Sequence, residues 1–415
     1  INQAANLGPL NEMIKVEEAI KIIASKASSL KKETISVKNS LSRVNSNNIY
    51  ANINSPPKNV SSMDGFALNI SDINNINKKT IKIIGESAAG NPYLKKLKKN
   101  ECVEIYTGAE VPHGANLILL QERVKIKNSH IISTSQNYIK GQYIRKKGSN
   151  FKNGSLIIKK NSLITSRVLG LIVSANHIKI DVYKKPNVAI LATGNELINP
   201  NKNINNRIIS SNTPLLISLI NLFGGKAHDL GIAKDTLKSL ENKLINIKKF
   251  DILITTGGAS VGKHDLVKDA LKKLGMQLIF WKVAMRPGKP LIFGKLNKTL
   301  ILGFPGNPVS TFVSALIFLR PLINKYLCIK NNHYIRTGQL IKPLIANDER
   351  EEYLRAKILL ENNIYKVEAL IGQDSSMTSY LSNANGLIIR KPFDKALKQG
   401  SKVSILVFSD IHPSI

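Results

Sequence analysis

Only two cysteines occur among the 415 residues, Cys102 and Cys328. A disulfide-stapled framework and a cysteine-rich metal site are excluded, because each draws on more thiols than the chain owns. A reducing setting fits, and a cytoplasmic location is expected. Acidic residues are also scarce, 28 Asp plus Glu against 60 Lys plus Arg, leaving a formal charge of +32. That balance favours anionic partners and, taken alone, would point to nucleic acid. Aromatic residues, however, make up only 6% of the chain. Apart from Lys95-Lys96-Leu97-Lys98-Lys99, the basic residues are dispersed along the chain among Asn and Ile. A nucleic-acid groove concentrates its cations and interleaves aromatic platforms, so nucleic acid is not an expected partner. No run of 18 or more apolar residues occurs, and Ile1 to Leu10 is polar, so neither a membrane span nor a secretory signal is expected.

What is present has the make-up of a globular protein, with 43% hydrophobic and 21% charged residues. At about 150 residues per domain the length predicts roughly three domains. Val16, Ala19, Ile20, Ile23, Ala24 and Ala27 recur at helical spacing near the N-terminus. From Ser55-Pro56-Pro57 the texture changes to short β-prone runs, Thr80 to Ile84, Cys102 to Tyr106 and Leu117 to Leu120, which predict a small β-rich insertion. After Lys185-Pro186 strand patterns over Val188–Ala192, Ile252–Thr256, Leu278–Val283 and Leu300–Leu302 alternate with helices. That alternation predicts a doubly wound α/β domain on a parallel sheet, with ligands beyond the carboxyl ends of its strands. Thr213 with Pro214 reads as one helix start, and Asn307-Pro308 as another. From about Ile329, strand runs separated by turns predict a small C-terminal β domain. The expected organisation is therefore α/β and multidomain. A mixed N-terminal domain covers 1–50 and 147–183, the insertion 51–146, the α/β domain 184–328 and the C-terminal domain 329–415.

Several motifs fall on the rim of the predicted sheet. In Thr256-Gly257-Gly258-Ala259-Ser260-Val261-Gly262-Lys263-His264-Asp265 a buried strand feeds a Gly-rich loop that opens a helix, an arrangement that aims backbone N–H groups and a helix dipole at an oxyanion. It imitates a nucleotide P-loop but carries His264 where Ser or Thr would hold Mg²⁺, so an ordinary nucleoside-triphosphatase is excluded. Asp265 and Asp235 each precede an apolar stripe and read as helix caps, a role compatible with ligand contact at the same rim. Lys282, Arg286 and Lys289 place cations around a Pro-Gly turn, and Arg286 before Pro287 is held extended for bidentate oxyanion contact. Pro305, Gly306, Asn307 and Pro308 form a stiff turn into a helix. Glu196, Asp235 and Asp265 together would suit Mg²⁺ bridging a phosphoanhydride.

Taken in order, Met63-Asp64-Gly65-Phe66-Ala67, Thr107-Gly108-Ala109, Gly194-Asn195-Glu196-Leu197, Gly257 to Gly262, Pro287-Gly288-Lys289-Pro290 and Pro305-Gly306-Asn307-Pro308 resemble the MoeA family of molybdopterin molybdenumtransferases, related to the gephyrin E domain. The match runs from about residue 13 to 410. The resemblance implies an elongated homodimer of four-domain subunits, with a small barrel-like C-terminal domain. It implies insertion of molybdate into adenylylated molybdopterin with Mg²⁺-dependent release of AMP, and handover to molybdoenzymes or exchange with a MogA-like adenylyltransferase. By motif position it assigns Asp64, Thr107, Glu196, Asp235, Asp265, Lys282 and Arg286 to catalysis. Gly257, Gly258, Ser260, Gly262, Pro305, Gly306, Asn307, Pro308, Arg350 and Ser379 are assigned to substrate binding, and Glu196, Asp235 and Asp265 to the metal. Asp64 and Thr107 would reach the cleft across the dimer. Two carboxylates of the family pattern appear here as Asn116 and Asn150. A non-catalytic pterin- or peptide-binding scaffold of the same fold is the alternative.

Overall fold

A computed structural model describes residues 13–28, 31–73, 80–133, 137–202, 206–257, 266–329 and 335–411. Helix α1 (Val16–Lys26) buries Val16, Ala19 and Ile23, one face of a 3.6-residue period. That face joins the apolar cluster of the α/β domain. Ile14 extends the attachment by donating its N–H to the Lys282 carbonyl at 3.2 Å. Lys32–Ser36 then pairs antiparallel with Lys179–Tyr183, so the chain leaves for the insertion and returns at one place.

The insertion is a six-stranded sheet of β1 (Gly65–Leu68), β2 (Ile81–Ser87), β3 (Glu101–Ile105), β4 (Leu117–Leu120), β5 (Val124–Lys127) and β6 (His130–Ser133). Their order is β4–β1–β3–β2–β6–β5. All three β runs expected here are strands.

The α/β domain comprises β7 (Asn187–Thr193), α2 (Asn212–Leu222), β8 (Lys226–Ala233), α3 (Leu237–Leu244), β9 (Ile252–Thr256), α4 (Leu266–Lys273), β10 (Gln277–Lys282), the short β11 (Met285–Arg286), β12 (Pro290–Leu296), β13 (Thr299–Phe304), α5 (Pro308–Ser314) and α6 (Arg320–Tyr326). Successive strand residues feed opposite faces. Val188, Ile190, Ile252, Ile254, Leu300 and Leu302 pack beneath α2, α5 and α6, whereas Ala189, Leu191, Leu253 and Ile301 pack beneath α3 and α4. Burying each of the larger side chains stabilises the domain by about 1.5–3 kcal/mol, which is why these strands are apolar throughout.

The sheet order is β8–β7–β9–β13–β12–β10, parallel from β8 to β13. The expected all-parallel sheet is corrected at its edge, where β12 runs antiparallel to both β13 and β10. The reason is connection length. Only Asn297 and Lys298 separate β12 from β13, with Asn297 at φ 54°, and a two-residue turn cannot make the crossover that parallel pairing needs. Two helix starts also move. Helix α2 begins at Asn212, so Thr213 lies inside its first turn. Thr236, not Asp235, caps α3, its hydroxyl accepting the Ser239 N–H at 3.2 Å.

The C-terminal domain contains β14 (Ile335–Leu340), β15 (Glu351–Glu361), β16 (Ile364–Ala369), α7 (Thr378–Asn383), β17 (Gly386–Arg390) and β18 (Lys402–Val407). Pairing of β15 with both β16 and β17 closes a five-stranded barrel, β15–β16–β14–β18–β17. Strand β11 of the α/β domain adds to this barrel, Met285 and Arg286 lying opposite Glu351 and Glu352. Among the described residues no helix is long and apolar enough to cross a membrane.

Closure of the barrel depends on Gly386, where a Cβ would stand 2.3 Å from Ile358 Cδ1 and 2.6 Å from the Leu406 carbonyl. Gly386→Ala is expected to cost about 2–4 kcal/mol, read as a lowered thermal transition. Gly170→Ala, in the helix Ser166–Ser174 with open space at its Cβ, should be neutral or stabilising by up to about 1 kcal/mol.

Candidate active site

Three strand ends converge at the carboxyl edge of the parallel sheet. β7 runs into Thr193-Gly194-Asn195-Glu196, β9 into Gly257, and β13 into Pro305-Gly306-Asn307-Pro308. They meet this closely because side chains are missing. At Gly257, with φ +87°, a Cβ would lie 2.3 Å from the Thr193 carbonyl, and at Gly194 it would lie 2.5 Å from both Glu196 carboxylate oxygens. Gly257 Cα lies 3.6 Å from where a Cβ on Gly306 would stand. A cavity of about 360 Å³ results, lined by Glu196, Gly257, Gly306, Asn307 and Pro308, with Ser376 and Thr378 of the barrel domain forming its far wall.

Asn212 ties these loops together and was not anticipated. Its amide nitrogen donates to the Gly306 carbonyl at 2.7 Å and to Thr256 Oγ1 at 3.3 Å. These bonds draw Asn212 toward the sheet edge and account for the early start of α2. In sequence it reads as one more polar residue before a helix; the signal for it was the Ser-Asn pair just ahead of Thr213-Pro214.

Asp235, released from capping, is held by a reciprocal pair. Its Oδ2 accepts the Asn195 N–H at 3.1 Å, while its own N–H donates to Asn195 Oδ1 at 3.2 Å. Asp235 and Glu196 are thus linked through adjacent residues of one loop. Among the described residues no three His, Cys, Asp or Glu side chains form a ready metal cage. Asp265, Gly258, Ser260 and Gly262 lie outside the described residues.

The cations occupy a neighbouring cleft. About 770 Å³ opens between the α/β domain and the barrel, lined by Arg286, Lys289, Pro305 and Asn307 on one side and by Arg350, Glu352 and Ser375 on the other. Asn307 belongs to both cavities. It stands at the N-cap of α5 without capping it, donating instead to Ser375 Oγ at 2.7 Å, and Val309 N–H donates to the Ser375 carbonyl at 3.1 Å. The Arg286 guanidinium is paired with Glu352 and, at 3.2 Å, with Asp348. Its backbone is extended within β11, and carboxylates already occupy part of its fork. Asp348 is held below the usual carboxylate range, chiefly by the Arg350 side chain.

Other predicted residues stand apart. Lys282 lines neither cavity, and its ammonium lies 4.6 Å from the centre of the Trp281 ring, with Lys268 at 4.3 Å from the same ring. Ser379 is exposed on α7. Asp64 and Thr107 meet in the insertion, Asp64 Oδ1 accepting the Thr107 N–H at 2.7 Å and its hydroxyl at 2.8 Å. They too line neither cavity. Asn116 uses both ends of its amide, accepting the Ile70 N–H at 2.8 Å and donating to Asn69 Oδ1 at 3.2 Å, a pair of bonds that a carboxylate could not make. Asn150 donates to Ser55 Oγ at 3.4 Å.

Comparison with known proteins places this arrangement. Residues 14–176 match the MoeA N-terminal region (domains I and II), 189–325 a probable molybdopterin-binding domain, and 337–408 the MoeA C-terminal region (domain IV). The Haemophilus influenzae molybdopterin molybdenumtransferase is 33% identical over 71% of this chain and 72% of its own length. The chain belongs to the MoeA family. A Staphylococcus aureus molybdopterin molybdenumtransferase is 28% identical over 95% of both chains. A crystal structure of a Pyrococcus horikoshii MoeA protein superposes with a TM-score of 0.81 at 26% identity, covering 96% of this chain and 99% of that one. The family fold thus extends over all the described domains, including the closed C-terminal barrel.

Within this MoeA-family chain the Asp64 carboxylate is held below its ordinary range, first by the Thr107 N–H and then by the hydroxyl. A depressed carboxyl contributes to stability above its unfolded value and loses that contribution as pH falls through its folded value. Thr107→Val, which removes only the hydroxyl, should raise the Asp64 titration midpoint part-way toward the ordinary value. NMR titration of the Asp64 carboxyl carbon checks this, and an unchanged midpoint would show the hydroxyl to be idle.

Proposed function

We propose that the protein inserts molybdenum from molybdate into molybdopterin, taking the adenylylated form as substrate and releasing AMP in a Mg²⁺-dependent reaction. The observation that carries this reading is the adjacency of two unlike cavities sharing Asn307. One is a glycine-lined pocket at strand ends with the Glu196 carboxylate on its lining, where a phosphoanhydride would find backbone N–H groups. The other is a larger cleft lined by Arg286, Arg350, Arg390 and Lys289, suited to an oxyanion. A nucleotide-linked substrate and an inorganic oxyanion need such neighbouring sites.

Glu196 and Asp235 fit Mg²⁺ in kind, since both are hard oxygen donors on one rim and Mg²⁺ takes one or two carboxylates together with substrate phosphate and water. They would hold the ion, with Asp265 as a third candidate. When bound, Mg²⁺ neutralises charge that develops on the phosphate oxygens. The chain's own part is positioning. Gly257 and Gly306 keep the backbone of the rim open to the substrate, the Asn195–Asp235 pair fixes the acidic loop, and the Ser375 contact closes the barrel over the pocket. The sulfurs that capture molybdenum belong to the substrate. Cys102 supports this division, being buried with its thiol pushed up to about 12 by desolvation first and then by Glu104. A thiol held protonated in that way is a poor nucleophile.

We further propose a homodimer in which Asp64 and Thr107 of a second copy complete the pocket. Their mutual hydrogen bonds hold a carboxylate in place on the insertion, apart from both cavities of its own chain. The scaffold alternative gains no support from the asparagines that motivated it. Asn116 and Asn150 are engaged in hydrogen bonds to distant segments of the insertion and its entry, Asn116 to Asn69 and Ile70 and Asn150 to Ser55.

The test is AMP release by the purified chain given adenylylated molybdopterin, Mg²⁺ and molybdate. Molybdate should stimulate release and chelation of Mg²⁺ should abolish it. Glu196→Gln and Asp235→Asn should each slow it by about 100-fold. AMP release indifferent to molybdate would reject the proposal.

A further inference from the structure

An ion-pair network that joins Asp348 to Arg286, Arg350 and Glu352 on the lining of the larger cleft is left unexplained by the reaction as proposed. Asp348 Oδ1 accepts the Arg350 backbone N–H at 3.0 Å and Nε at 3.4 Å, and Oδ2 accepts Arg350 Nη2 at 2.5 Å and Arg286 Nη1 at 3.2 Å. Glu352 Oε1 accepts from Arg286 through Nε at 2.8 Å and through Nη2. Arg286 comes from β11 of the α/β domain and Arg350 from the loop before β15. One carboxylate therefore bridges guanidiniums of two domains. Its loop is stiff, the Asn347 amide donating to the carbonyls of Arg350 at 2.7 Å and Lys391 at 2.8 Å, and the Phe393 N–H donating to the Asp348 carbonyl at 2.7 Å.

Two converging guanidiniums with Lys289 beside them form a strong tetrahedral-oxyanion site, because planar forks make several charge-assisted bonds at once. Without counter-charge such a site would be filled by whichever dianion is abundant. Here Asp348 and Glu352 take those same donors. Asp348 remains 30% exposed at its side chain and Arg286 42%, so the pairing is screened by solvent and exchanges readily.

We infer that Asp348, supported by Glu352, is the residue that sets the oxyanion affinity of this cleft, acting as an internal ligand that an incoming tetrahedral oxyanion must replace. No covalent bond changes. The guanidinium N–H groups pass from carboxylate to oxyanion oxygens while the Asp348 carboxylate turns to water. This rests on, and deepens, the reading of the cleft as the place where the oxyanion is held.

The experiment is calorimetric titration of the full chain with sulfate and, separately, with molybdate, alongside a thermal melt. Arg350→Gln identifies the part of the binding that belongs to the cleft, since it should lose that part. Asp348→Asn, which keeps size and removes charge, should bind both anions about threefold to tenfold more tightly than the unaltered chain. Unchanged or weaker binding in a normally melting Asp348→Asn would overturn the inference and make Asp348 a mere clamp. Should that variant melt early, Glu352→Gln decides by the same sign. Binding unaffected by Arg350→Gln would also overturn it, by placing the anions elsewhere on this basic chain. Absence of AMP release would reject the transferase reading without altering these affinities.

Discussion

Met285 and Arg286 leave the α/β domain as β11 and pair with Glu351 and Glu352 of the barrel, so backbone pairing and ion pairs cross the same joint. Both cavities depend on that joint. The smaller has Ser376 and Thr378 of the barrel domain as its far wall, and the larger is enclosed by residues of both domains. A second attachment lies where Ser375 meets the start of α5. Buried Arg355 steadies that stretch from within the barrel, donating to the Gly372 carbonyl at 2.5 Å while Gln373 bonds its backbone. The edge pocket is thus a property of two domains held at a set distance.

Within the α/β domain the governing constraint is close approach. Strand-end loops can share one small volume only where Cβ atoms are absent, and Gly194 and Gly257 are the positions where one would strike backbone or a carboxylate. The polar groups brought together there are satisfied across loops: Asn212 to Thr256 and Gly306, Asn195 to Asp235. Each bond joins segments far apart in the chain, so the rim is only as ordered as the sheet beneath it.

Charge is organised at two scales. The +32 excess is dispersed along the chain, where solvent screens it. At the cleft, by contrast, Arg286 and Arg350 are each held by a carboxylate, Asp348 bridging both and Glu352 pairing with Arg286. Local pairing in the cleft thus differs from the surface excess, because fixed geometry holds the charges together there.

Much of this was legible in the chain itself. Apolar runs at Val188, Ile252 and Leu300 predicted buried strands, and the order of the glycine and proline motifs predicted the family, because period and turn chemistry are local properties. The antiparallel edge was not read, since Pro290 and Gly294 disguise β12. The cap at Asp235 was misplaced by one residue because Thr236 serves the same local need. Asn212, Asp348, Glu352 and Ser375 carried no motif at all. Apart from the local Asp348–Arg350 pair, their partners lie dozens of residues away, and nothing in a linear pattern specifies which distant loops will meet. Local sequence settled the elements and the chemistry each motif could offer. Folding alone decided which carboxylate faces which guanidinium, because that choice follows from how two domains dock.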